Sequence, residues 1–114
     1  MALEEYRTHI QELLSERGQR SAQSSTRTDF ETQIIFDTKR DHYQLVHVGW
    51  KPNGHRNYGC VLHLDIKDGK IWIQHDGTEE GIANALVDKG VPKQDIVLAF
   101  HHPSMRKHTE FAVA

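Results

Sequence analysis

At 114 residues the chain has room for one domain with a core of ordinary size. Hydrophobic residues are 37% and charged residues 26%, the balance of a soluble globular protein and not of a disordered one. The 14 Lys and Arg against 16 Asp and Glu leave a formal net charge of -2, which argues against a strong non-specific nucleic-acid binder.

The single cysteine, Cys60, excludes an intrachain disulfide, so apolar packing must hold the fold. Apolar runs are too short for a membrane span. The first residues, MALEEYRTHI, carry acids where a signal peptide carries positive charge, so the expected location is the cytoplasm.

The first element reads as a helix. Leu3, Tyr6, Ile10, Leu13 and Leu14 recur at three- and four-residue spacing and share one face. Glu4 and Glu5 in the first turn and Arg17 in the last suit the helix dipole, and Gly18 reads as the stop. The helix is thus expected over 1–18, with a polar, Ser/Thr-rich linker over 19–29.

From Phe30 the period changes to two. Strands are expected over Phe30–Thr38, His42–Trp50, Asn57–Ile66 and Ile71–Asp76. Asp68-Gly69 is the strongest hairpin signal, because a two-residue primed turn needs positive φ at both positions. Three short links in succession make an antiparallel meander. A second helix is expected over Glu79–Lys89, capped by Asp76 or Thr78 and stopped by Gly90 and Pro92. Ile96–Phe100 reads as a buried fifth strand, followed by a tail that begins basic and ends apolar. The predicted fold is α+β: an antiparallel β-meander of four strands with an N-terminal helix, a second helix and a fifth strand, all in a single domain over 1–114.

Strict alternation sorts the sheet into two faces. One carries Ile34, Phe36, Tyr43, Leu45, His47, Cys60, Leu62, Leu64, Ile66, Ile71, Ile73 and His75, and is the expected core face. The other carries Gln44, His63, Asp65, Trp72 and Gln74 with Val46, Val48, Trp50 and Val61. That second face is apolar for a solvated surface. Either a partner covers Val46, Val48, Trp50, Val61 and Trp72, or Phe111 and Val113 of the tail fold back over them.

Nine histidines raise the question of a metal, yet no HExxH or CxxC is present. The register sets His47 against Cys60 with His75 diagonal, a zinc set of three that lacks a fourth ligand and the close paired spacing of structural zinc sites; half-buried histidines bonded to backbone or to Tyr43 are the simpler reading. Cys60 lies mid-strand and reads as an inert packed thiol. Asp76, Glu79 and Glu80 fit a helix start without invoking catalysis. Lys39, Arg40, Lys67 and Lys70 in the hairpin turns are interleaved with Asp37, Asp41, Asp65 and Asp68, so that end is close to neutral. Arg106 and Lys107 form the one locally basic stretch and are the candidate DNA contacts. No catalytic residue, cofactor or metal is expected.

Three stretches closely resemble the XisI family: IIFDTKRDHYQLVHVGW (Ile34–Trp50), YGCVLHLDIKDGKIWIQHDGTEEGIANALVDKGVPKQDIVLAFHHP (Tyr58–Pro103) and TEFAVA (Thr109–Ala114). The runs DIKDGKIWIQ and DGTEEGIA carry most of the likeness. The resemblance implies an α+β fold with an antiparallel sheet. It also implies the role of an fdxN element excision controlling factor of cyanobacteria, regulating site-specific DNA excision beside a recombinase and an XisH-type companion protein. No catalytic or ligand residue is carried over from it. The expected function is therefore that of a non-enzymatic accessory factor acting through contacts with an XisH-type partner or with a second copy in a homodimer. Direct DNA binding, or a metal-dependent enzyme built on His47, Cys60 and His75, are the alternatives.

Overall fold

Strand-forming, period-two sequence from Phe30 onward pairs into one five-stranded sheet of order β1-β2-β3-β4-β5. The computed structural model describes residues 2–24 and 30–114. The strands are β1 (Phe30–Asp37), β2 (His42–Trp50), β3 (Arg56–Lys67), β4 (Lys70–Asp76) and β5 (Ile96–Leu98). The first four form the expected antiparallel meander, and β5 lies parallel to β4. A parallel neighbour needs a crossover, which the helix α2 (Ile82–Asp88) supplies. Asp68 and Gly69 both take positive φ, 53° and 76°, so the β3–β4 link is the primed turn its dipeptide foretells.

The first helix, α1, runs Ala2–Ser24 and does not stop at Gly18. Residues 19–24 are therefore helix and not linker; the remainder of the expected linker, 25–29, lies outside the described residues. Gly18 serves close approach instead. A Cβ there would lie 2.7 Å from Ile34 Cδ1 and 3.3 Å from Leu45 Cδ1. The missing side chain lets the helix backbone settle onto β1 and β2.

On the helix side, Tyr6, Ile10, Leu13 and Leu14 of α1 and Ile82 and Leu86 of α2 bury against Tyr43, Leu45, Leu62, Leu64, Ile71 and Ile73. Each fully buried Leu or Ile contributes roughly 1.5–3 kcal/mol. Two polar clasps fix α1. The Tyr6 hydroxyl donates to Asp95, just before β5. Arg7 reaches both carboxylate oxygens of Asp41, at 2.8 and 3.0 Å. Ile34, expected in the core, remains 39% exposed beside α1, on the edge strand.

The second helix is shorter than expected and begins after Gly81, whose φ of 80° no helical residue adopts. Asp76 still caps it: one carboxylate oxygen accepts from Thr78 N at 2.8 Å and the other from Ile82 N at 2.7 Å. Glu79 and Glu80 precede the helix, and Glu80 pairs with Arg17 and Arg20 of α1. A short helix α3 (Pro103–Arg106) starts the tail. The tail then runs along the sheet edge, where Ala112 bridges Val97 in parallel and its N–H donates to Ile96 O at 2.9 Å.

Candidate functional site

Two bulges decide which side chains reach the outer, helix-free face. In the β2–β3 ladder Leu45 pairs with Leu62 but Val46 pairs with Cys60, which leaves Val61 as the extra residue. In the β3–β4 ladder His63 pairs with His75 but Leu64 with Ile73, which leaves Gln74 as the extra residue. An inserted residue reverses the alternation beyond it. Val61 accordingly packs against the core and is no part of the outer face, contrary to strict alternation. Cys60 moves to the outer side opposite Val46, and His75 to the outer side opposite His63. His47 stays on the helix side opposite Gly59.

The alternative set of His47, Cys60 and His75 is thereby taken apart: His47 lies on the helix side and the other two on the outer side. The Cys60 thiol donates to Leu62 O at 3.2 Å, and burial pushes its pKa up, away from the thiolate a nucleophile needs. Burial also lowers the His47 pKa, which favours the neutral imidazole. His47 lines a cleft of about 310 Å³ between α1 and the β4–α2 loop, together with Arg17, Arg20 and Glu80. The ion pairs from both arginines to Glu80 already occupy the charges there.

The outer face divides into two unlike ends. At one end Trp50 is 60% and Tyr58 66% exposed. The Arg56 guanidinium lies 4.9 Å from the Trp50 ring centre and 5.8 Å from that of Tyr58. Arg56 also donates to Gly49 O at 3.2 Å, which ties it to the opposite strand. Val48, opposite Tyr58, is half-buried, and Val46 is buried.

At the other end Trp72 is half-buried beneath two cations. Lys67 Nζ lies 4.7 Å and the Arg106 guanidinium 5.5 Å from its ring centre. Arg106 further donates to the carbonyls of His101, Ala99 and Val113 at 3.1, 3.3 and 3.4 Å. Its guanidinium is committed to holding the tail, whereas Lys107 is exposed. Phe111 packs against the core and Val113 stays exposed, so neither folds back over Trp50 and Tyr58.

Sequence reasoning named Trp50 and Val48 but missed Tyr58 and Arg56. Both lie on the outer face only because the bulge at Val61 shifts the register. His42 was missed as well: β2–β3 pairing sets it opposite Asp65, and His63 lies two residues before Asp65 on the same face. The His-x-Asp of β3 is visible as a local pattern, but the third member comes from another strand.

Fold and surface together define a class: a small α+β protein with helices on one sheet face and an aromatic-rich, open second face. A family model described as XisI protein matches residues 1–113, and the chain belongs to the XisI family. Two solved structures from Anabaena variabilis ATCC 29413 are similar to it. A XisI-like protein is 42% identical, with 98% of this chain and 99% of that chain covered and a TM-score of 0.89. The fdxN element excision controlling factor XisI is 37% identical, with both chains covered completely (100% of each) and a TM-score of 0.84. No match was found among curated proteins. By name the family is one of controlling factors, and its Anabaena members fit the cyanobacterial setting. No helix among the described residues is long and apolar enough to cross a membrane.

Proposed function

We propose that this chain is a regulatory subunit of a DNA-excision system, without catalytic chemistry of its own, that works by docking a protein partner. The docking surface is the Trp50 end of the outer sheet face, and the partner is an XisH-type protein. The observation that carries this reading is the exposed Trp50–Arg56–Tyr58 stack. Trp, Tyr and Arg are the residues most enriched where a few side chains dominate binding energy. Arg56 bridging two rings holds them in place before a partner arrives, which reduces the ordering cost of association. Contact with DNA through Arg106 and Lys107 is less well supported, because Arg106 is already engaged with the tail and Trp72.

Calorimetric titration of the purified chain with an XisH-type protein tests it. Trp50→Ala and Tyr58→Ala should each weaken binding at least tenfold, about 1.4 kcal/mol. Their melting temperatures should stay within about 2 °C of the parent, since neither ring is in the core. Trp72→Ala should instead cost stability. Affinity unchanged in both Trp50→Ala and Tyr58→Ala rules out this surface. Self-association lost in the same variants assigns it to a homodimer in place of the XisH-type partner.

A further inference from the structure

At the Trp72 end of the outer face, where Asp65 pairs with Trp72 on one side and His42 on the other, three ligand-type side chains converge. His42 Nδ1 lies 2.7 Å and His63 Nε2 3.0 Å from the same oxygen, Oδ1 of Asp65. All three atoms lie within 4.8 Å of one another. We propose that His42, His63 and Asp65 form a binding site for a divalent transition-metal ion of the zinc class, with the remaining coordination positions open to solvent.

The sheet itself builds the geometry. His42 and Asp65 are direct cross-strand partners, and His63 stands two residues from Asp65 on the same strand and face. Around a tetrahedral ion with metal–nitrogen and metal–oxygen distances near 2.0–2.2 Å, ligand atoms sit roughly 3.3 Å apart. The His42–Asp65 separation of 2.7 Å has to widen by about 0.6 Å and the His63–Asp65 separation of 3.0 Å by about 0.3 Å, shifts within reach of small rotations of the two imidazoles. Gln74, on the same outer face, donates to the other Asp65 oxygen, Oδ2, at 3.2 Å. That contact holds the carboxylate so that Oδ1 alone faces the two imidazoles, the kind of outer-shell support that orients metal ligands. Two imidazoles and one carboxylate are borderline donors, suited to zinc, cobalt and nickel and poorly suited to magnesium or calcium. Asp is also disfavoured within strands, so its place in β3 rests on the side chains gathered around it. His42 is exposed and His63 half-buried, so an ion has a path in from solvent.

The test is titration of the full chain with zinc chloride by calorimetry, and with cobalt(II) chloride by visible absorption. One equivalent should bind, and cobalt should give the intense ligand-field absorption of a low-coordinate site. His42→Ala and His63→Asn, each checked for folding by circular dichroism, should weaken binding more than tenfold. Gln74→Ala should weaken it about tenfold. The doubly substituted His101→Asn/His102→Asn chain, altered in the tail, should bind as the parent does. Absence of stoichiometric binding at 100 μM metal overturns the proposal. So does binding that survives in both His42→Ala and His63→Asn, which would place the ion on other histidines.

Discussion

Gly18 shows how one residue supports two physical stories that only packing can separate. A glycine after Arg17 at the end of an apolar helical stripe has the local look of a C-terminal stop. In the fold it is mid-helix, with Ile34 and Leu45 occupying the space its side chain would take. Gly18→Ala brings two opposed effects. It gains about 1 kcal/mol of helix propensity and displaces the end of the Ile34 side chain, which is partly exposed and can swing away. The single variant should therefore lie within about 1 kcal/mol of the parent in urea unfolding. In an Ile34→Ala background, which removes the closest atom, the same change should stabilise by roughly 1 kcal/mol. Equal effects of Gly18→Ala in both backgrounds refute the close-approach account. Asp41 is the other residue whose role needs the whole fold. It holds a positive φ of 60° in the turn, binds Arg7 and accepts from the Tyr43 hydroxyl at 2.8 Å. Locally it reads only as turn chemistry.

At the scale of elements, strand positions were readable because alternation and the Asp68-Gly69 turn are local signals. The core list Tyr43, Leu45, Leu62, Leu64, Ile71 and Ile73 follows from the same alternation and is buried as expected. The bulges at Val61 and Gln74 were not readable, because an extra residue becomes visible only when a strand is laid against its neighbour. Every misplaced site residue traces to them: Val61, Cys60 and His75 all lie at or beyond a bulge. The helix ends were blurred for a different reason. Glu79 and Glu80 look like first-turn acids, yet the positive φ at Gly81 delays α2 until Ile82. Long-range clasps were equally invisible. Tyr6 and Asp95 are far apart in the chain, and their hydrogen bond fastens α1 to the segment entering β5. Tyr6→Phe keeps the ring in the core and removes only that bond to a charged partner. It should cost about 1.5–3 kcal/mol in chemical denaturation, with unchanged circular dichroism. A loss under about 0.5 kcal/mol, the range of an ordinary surface change, would show that the clasp adds nothing to docking.

On the scale of the whole molecule, the clasps and the cleft set how stability depends on pH. Arg7 holds the Asp41 carboxyl below its ordinary value, with the Tyr43 hydroxyl assisting. A lowered carboxylate contributes stability that is complete above the unfolded value of about 3.9 and is lost as pH falls through the lowered one. Burial lowers His47 too, so its neutral form is favoured on folding. That contribution is intact above about 6.5 and declines below, where the unfolded chain takes the proton first. In the alkaline direction, burial and the Asp95 contact push Tyr6 up to about 12. A raised tyrosine contributes fully below about 10 and loses that contribution as pH rises toward the folded value. The unfolding free energy, measured by urea titration across pH, should therefore hold a plateau between about 6.5 and 10. It should slope down in two acid steps and fall again in alkali. His47→Phe, which keeps a ring beside Phe30, should flatten the first acid step. Asp41→Asn, whose side chain tolerates positive φ, should lower the plateau and flatten the second step, because the parent loses at low pH what the variant lacks throughout. If His47→Phe and the parent lose stability equally between pH 6.5 and 5, the protonation cost lies on other histidines and the lowered pKa assigned to the half-buried His47 is wrong.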